Sequence, residues 1–481
     1  MKSSGGYLPL LLSFAGIVQG QVLQAAPIAL IHVTVIDMTG AAPKPDMTLV
    51  IQGARIGVLG RSSHTRAPKG AQVIDARGQY LIPGLWDMHT HNFFGPNQSF
   101  YSLYIANGVT GVRDMGGVWK YFDAYETARH AGQSLNGKWP APRIVAAGVI
   151  LDGKPPVHPT NVGVTNAQEA RQAVETNRQR GADFIKVYSM LDRAAYFAIA
   201  DEAKQDGLPF AGHVPLAVSA AEASDAGQKS IEHSYGILLG SSTRESGIRA
   251  RKLEELGKRD SNLRALLKSE YEPIDSYSQG KADALFALFV KNGTWVCPTL
   301  VVQNRLLVNG KSAAVEQLSS RYVPHLAQGF WREAEQSMAK SLTPEDRAGD
   351  QKLYPKYLDL VQAMHRAGVP LLAGTDTPNP WVVPGFSLHE ELALLVKAGL
   401  TPLQALQTAT INPARFLGEE RQLGTIEVGK LADVVLLDAD PLADIHNTAS
   451  IAAVFADGRY LSKRALQQML GEVETSAKAP H

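Results

Sequence analysis

Between Leu81 and Asp376 short apolar runs alternate with longer helical patterns, and that alternation restricts the fold more than any other feature of the chain. A strand, a helix and a second strand make a βαβ unit, whose strands pair in parallel while helices cover the sheet. Eight runs fit, near residues 82–88, 109–114, 143–148, 183–188, 208–213, 229–233, 293–299 and 370–376. Two intervals break the rhythm, about 240–292 and about 306–367, and both carry charged, helix-like segments. Structureless loops of that length are uncommon in a compact domain. Inserted helices are therefore expected, either rimming one mouth of the sheet or thickening its outer shell.

The flanks read differently. From Ile28 to Tyr80, and again after Gly424, alternating apolar and polar residues are punctuated by Gly, Pro and Asp, as in short antiparallel strands. The two ends are expected to pair as one small β-sandwich, its parts being residues 21–80 and 423–481, around a domain at 81–422. Residues 1–20 read as a secretory signal peptide, with one lysine, an apolar stretch from Tyr7 to Val18 and small residues near Gly20. That stretch is short for a bilayer, so no membrane anchor is expected after its removal and the destination is periplasmic or secreted.

Composition narrows the function classes. The chain has 481 residues, 45% of them hydrophobic, and a formal net charge of +1, with no basic stripe for nucleic acid. Cys297 is the single cysteine, so an intrachain disulfide is impossible and TWVCPTL reads as a strand with a small buried residue. The partner expected is a small-molecule substrate, and a homo-oligomer is compatible with the chain.

Chemistry-bearing residues recur where the runs end. LIPGLWDMHTH carries Asp87, His89 and His91 at every second position, which in a strand share one face. Two neutral imidazoles on one face can hold one divalent metal, at about 2.0–2.1 Å for zinc. Asp87 is a candidate to hold the far ring nitrogen of such a ligand. In GADFIKVYSM, Phe184, Lys186 and Tyr188 share one face and Ile185 and Val187 the other. A lysine buried there has a lowered pKa, and its neutral amine can take up carbon dioxide to form a carbamate able to bridge two cations. The plain alternative is a lysine that reaches the strand end or pairs with a carboxylate. LPFAGHVP and KSIEHSYG place His213 and His233 after two further runs, and VPLLAGTDTPNP places Asp376 after the last.

Taken together, H-x-H, Lys, His, His and Asp, each at the end of a different run, resemble the amidohydrolase superfamily, in its subtype with two metals and a carboxylated lysine. The resemblance extends from about Ile28 to about Tyr460 and includes NGVTGVRDMGG, TPLQALQTATINPARFLG and GTIEVGKLADVVLLD. Within the superfamily it is similar to the imidazolonepropionase-like branch that includes Xaa-Pro dipeptidases and an ochratoxin-hydrolysing amidase. The resemblance implies an α/β fold, a (β/α)8 TIM barrel with its catalytic residues at the carboxyl ends of the strands. It also implies that His89, His91 and Asp376 bind one metal, that His213 and His233 bind a second, and that Lys186 bridges both as N6-carboxylysine.

Two divalent ions, expected to be zinc with manganese, cobalt or iron as alternatives, would activate a water, polarise a carbonyl and stabilise the resulting oxyanion. Asp376 is the expected catalytic base, passing a proton from the attacking hydroxide to the leaving amine. The expected reaction is hydrolysis of an amide in a dipeptide or N-acyl amino acid. A cyclic amide, lactone or xenobiotic ester on the same site is the alternative, and a non-enzymatic binding protein on an inherited barrel is a third. Tyr188, His158, Arg113 and Trp381 are candidate substrate contacts: Tyr188 and His158 as polar partners of a carboxylate or carbonyl, Arg113 for a carboxylate or else in a structural ion pair, and Trp381 as an aromatic wall.

Overall fold

The computed structural model describes residues 26–95, 99–256, 270–308, 310 and 312–479. The expected signal peptide at 1–20 lies outside the described residues, as do residues 257–269 of the first helical excursion.

Seven of the eight expected runs form strands: Leu85–Thr90, Val109–Asp114, Arg143–Ala146, Ile185–Val187, Phe210–Gly212, Ser230–Glu232 and Trp295–Cys297. They fall into two parallel sheets, three strands in the first and four in the second, which Leu151–Asp152 and Val162–Gly163 extend to six. The eighth run connects the two sheets. Leu372 N donates to Val296 O at 2.9 Å, Met88 N to Ala373 O at 2.9 Å and Asp376 N to His89 O at 2.7 Å, so residues 370–376 lie between the Trp295 and Leu85 strands. The result is a TIM-barrel-like α/β arrangement. Alternation within each strand explains it: Ile185, Val187 and Ile231 turn outward into the apolar layer shared with the helices, while Lys186 and Glu232 turn inward.

Both interruptions are helical where described. The first contains Glu245–Leu256 and Gln279–Asn292, and the second runs Leu300–Val308, Ala313–Tyr322, His325–Ser341 and Pro344–Arg366. The last of these begins with Thr343 and Asp346 in a reciprocal capping pair and Pro344 in the first turn, which satisfies amides the helix leaves unpaired.

The terminal segments meet, but in one eight-stranded sheet rather than as two separate sheets. Tyr80–Pro83 pairs with both Ile28–Val35 and Val434–Leu437, joining the two ends of the chain. Arg55–Arg61, at the sheet's edge, is hydrogen-bonded back to 429–432, through Ile56 N to Lys430 O at 2.9 Å and Ala432 N to Ala54 O at 2.8 Å. The sheet thus folds over its own core of Leu30, Val33, Leu49, Leu81, Leu436 and Phe455, and the alternate residues Ile82, Val435, Leu437 and Val454 pack into the barrel's helical layer. No helix among the described residues is long and apolar enough to cross a membrane.

Candidate metal centre

His89, His91, Lys186, His213, His233 and Asp376 converge at the carboxyl end of the parallel strands, and all six are buried. Ring centroids lie 5.4 Å apart for His89 and His91, 4.7 Å for His89 and His233, and 4.8 Å for His213 and His233. Asp376 Oδ1 is 3.3 Å from His89 Nε2 and 3.2 Å from His91 Nε2, and its Oδ2 is 4.0 Å from His233 Nε2.

Local backbone sets these positions. His233 and Asp376 have φ of 60° and 63°, a left-handed conformation that side chains with a Cβ rarely adopt, and Ser234 and Thr299 beside them share it. Two glycines make room. A Cβ on Gly212 would meet Val187 O at 2.1 Å, and one on Gly374 would meet Cys297 Sγ at 2.5 Å and His89 Cβ at 2.7 Å.

Each histidine is held by its Nδ1. His91 Nδ1 donates to Gly116 O at 2.7 Å, and because a carbonyl only accepts, the neutral ring's Nε2 carries a lone pair. His89 Nδ1 lies 2.8 Å from Glu232 Oε2, His213 Nδ1 2.7 Å from Ser189 Oγ and His233 Nδ1 2.7 Å from Thr299 Oγ1. Four Nε2 atoms are thereby left to face one another. Those of His89 and His213 are buried without a hydrogen bond, and so is Lys186 Nζ. Unpaired polar atoms in a core are costly, so this convergence fits a bound cation set.

Charge states agree. Burial, reinforced by Lys186, lowers the pKa of His89, and burial with neighbouring cations puts His213 well below the ordinary range; His233 is likewise well below it, burial outweighing the pull of Asp376. Burial brings Lys186 down to about 8 despite the nearby carboxylates of Glu232 and Asp376. Burial works to raise Asp376, yet His89 and His233 hold it well below the usual carboxylate range. His89, His213 and His233 are thus neutral imidazoles, beside an ionised carboxylate and a lysine that loses its proton readily.

Ligand atoms of His89, His233 and Asp376 lie within 4.8 Å of one another, as do those of His89, Glu232 and Cys297. Only the first group suits a cation. Glu232 is committed to Arg113, at 2.9 and 3.0 Å, and to His89, while burial pushes the Cys297 thiol well up, away from thiolate.

Three sequence expectations change. The carboxylate behind His89 is Glu232, not Asp87, which accepts from Thr375 N at 3.0 Å, Thr375 Oγ1 at 2.6 Å and the His89 amide at 3.2 Å. Of the two readings of Arg113 the structural ion pair holds and the substrate contact does not: it is fully buried, and its guanidinium is engaged by Glu232, Ser230 Oγ and Met88 O. Trp381 lies off the catalytic cavity, turned by its φ of 65° towards Trp331, with its indole N–H 3.1 Å from Glu335.

The cavity over the centre has a volume of about 290 Å³. His158 and Tyr188 line it as expected, Tyr188 stacked on His213 at 4.0 Å between centroids. Burial raises the Tyr188 phenol well above its usual pKa, so it stays a neutral donor. Phe94, Tyr235 and Gln303 also line it and were not singled out from the sequence. Tyr235 follows His233 by two residues, which was a usable signal. Gln303, on Leu300–Val308, is fully buried, and its amide is hydrogen-bonded to the Tyr235 phenol.

Comparison with known proteins bears on the fold and on the carboxyl-terminal part of the chain. Residues 326–461, which include Asp376, match the amidohydrolase family model. Ochratoxinase of Aspergillus niger is 24% identical over 410 residues, 76% of this chain and 71% of that protein. Imidazolonepropionase of Aeromonas hydrophila subsp. hydrophila is 37% identical over 86 residues, 18% of this chain and 21% of its own length. A crystal structure of a Xaa-Pro dipeptidase with bound methionine in its active site superposes with a TM-score of 0.64 at 21% identity, covering 91% of this chain and all of that one.

Proposed function

The chain carries an amidohydrolase-family domain, and from that premise we propose that it is a metal-dependent hydrolase of a small amide, such as a dipeptide or N-acyl amino acid. The observation that carries the reading is the set of four histidines tied back through Nδ1 and gathered around Asp376, with an unpaired Lys186 amine.

In this reading His89, His91 and Asp376 would hold one divalent ion, His213 and His233 would hold a second, and Lys186, as N6-carboxylysine, would serve as a further ligand. Such ions supply the Lewis acidity that activates a water and polarises the scissile carbonyl. The chain's own groups do the rest. Asp376, ionised and in contact with His89 and His91, accepts a proton from the attacking water and returns it to the leaving amine. Glu232 keeps the proton of His89 on Nδ1. Tyr188 and His158, with ring centroids 5.8 Å apart, orient a carbonyl or carboxylate of the substrate, and Gln303, beside Tyr235, adds an amide to the polar lining. The reading includes closure of the eight strands into a full barrel.

Protein reconstituted with zinc or manganese should release free amine from members of a panel of dipeptides, N-acyl amino acids and cyclic amides. Turnover confined to lactones or phosphoesters would overturn the assignment.

A further inference from the structure

A second cavity adjoins the catalytic one. It has a volume of about 380 Å³, within the range of small-molecule sites. The inserted helices Leu300–Val308, His325–Ser341 and Pro344–Arg366 build it, together with the turn after Asp376. Leu306 and Pro380 line both cavities, so the two share a wall.

Their linings differ in kind. The catalytic cavity is faced by histidines, tyrosines, Gln303 and Asp376, whereas the second presents Leu307, Met338, Leu342 and Trp381. Its charged lining residues Arg305, Glu335, Arg347 and Asp350 are engaged, in that order, by Glu390, the Trp381 indole, Ala339 O and the Tyr271 hydroxyl. The wall is also fixed. Arg305 donates from Nε to Trp381 O at 3.2 Å and from Nη1 to Gly310 O at 2.6 Å, and is paired with Glu390, while Trp381 packs on Trp331. A mainly apolar cleft adjoining a polar site at Leu306 and Pro380 suits a ligand polar at one end and apolar at the other.

We propose that this cleft is a substrate subsite that receives an apolar acyl or side-chain group extending from the scissile amide. The inference rests on the amide-hydrolase reading and adds to it a substrate class: amphipathic amides with a long or aromatic apolar portion. The inserted helices are then specificity elements, not mere thickening of the shell.

N-acylglycines with acetyl, hexanoyl and decanoyl chains test it by titration calorimetry of the metal-reconstituted protein, in an Asp376→Asn background that does not consume the ligand. Affinity should climb with each added methylene, by up to about threefold for those that enter the cleft, and decanoylglycine should bind at least tenfold more tightly than acetylglycine. Ala334→Trp, which fills the cleft, and Met338→Glu, which places a charge in it, should each erase that gain and leave acetylglycine within twofold of its original affinity. No dependence on chain length, or one that survives both substitutions, would overturn the subsite. Turnover by the unsubstituted protein is a separate readout: failure to hydrolyse any chain length contradicts the amide-hydrolase reading, while the binding comparison still decides the subsite.

Discussion

Two buried regions of this molecule solve opposite problems. Inside the terminal sheet, Leu30, Leu49, Leu81, Leu436 and Phe455 fill the interior with carbon. At the carboxyl end of the parallel strands the same depth of burial is given to His89, Lys186, His213 and Asp376, with several polar atoms unpaired and left-handed backbone at His233 and Asp376. Each unpaired buried group costs about 1–3 kcal/mol. The first region is built for stability, and the second draws on it to hold a reactive arrangement that only a ligand completes.

The contrast can be broken by separating activity from stability. Asp376→Asn keeps the shape of the side chain and removes the base, so kcat should fall by about 10²–10⁴-fold with metal retained; near-normal turnover in the metal-loaded variant contradicts the assignment. Leu436→Ala should do the reverse, lowering unfolding free energy by about 2–5 kcal/mol in a denaturant titration while kcat/KM of the folded fraction holds. Loss of activity without loss of stability there would show that the two regions are not independent.

Finer tests sharpen the polar side. Glu232→Gln preserves volume but weakens the hold on His89 Nδ1, and chelator competition should report roughly 10–100-fold weaker metal binding. Unchanged affinity would demote Glu232 to a partner of Arg113 alone. Lys186 provides a pH test. With its amine lowered to about 8, the neutral form that takes up carbon dioxide is about one-tenth of the total at pH 7 and about nine-tenths at pH 9. Carbamate formation in metal-free protein at fixed dissolved carbon dioxide should therefore rise about tenfold over that span and then level, followed by carbon-13 resonance. A lysine at its ordinary pKa would instead keep gaining well past pH 9.

Much of this was legible because barrel strands are short and locally punctuated. The runs ending at His91, His213, His233 and Asp376 each stop at a Gly, Pro or polar residue, and period-two alternation already separates Lys186 from Ile185 and Val187. What local pattern could not supply was partnership across the chain. Arg113 and Glu232 meet over a separation of 119 residues, so neither VRD nor IEH alone reveals that each neutralises the other. Asp87 was misplaced for the same reason: the carboxylate at His89 Nδ1 comes from Glu232, 143 residues further along the chain. The terminal strands were foreseen to pair, but which strands share a sheet depends on the edge folding back to 429–432.

The central claim is that six separated side chains enclose two ions. Crystals of zinc-reconstituted protein, measured at the zinc absorption edge, should show two anomalous peaks roughly 3.5–4 Å apart, one beside His89 and His91 and the other beside His213 and His233. No peak there, or peaks only at surface residues, would contradict the account.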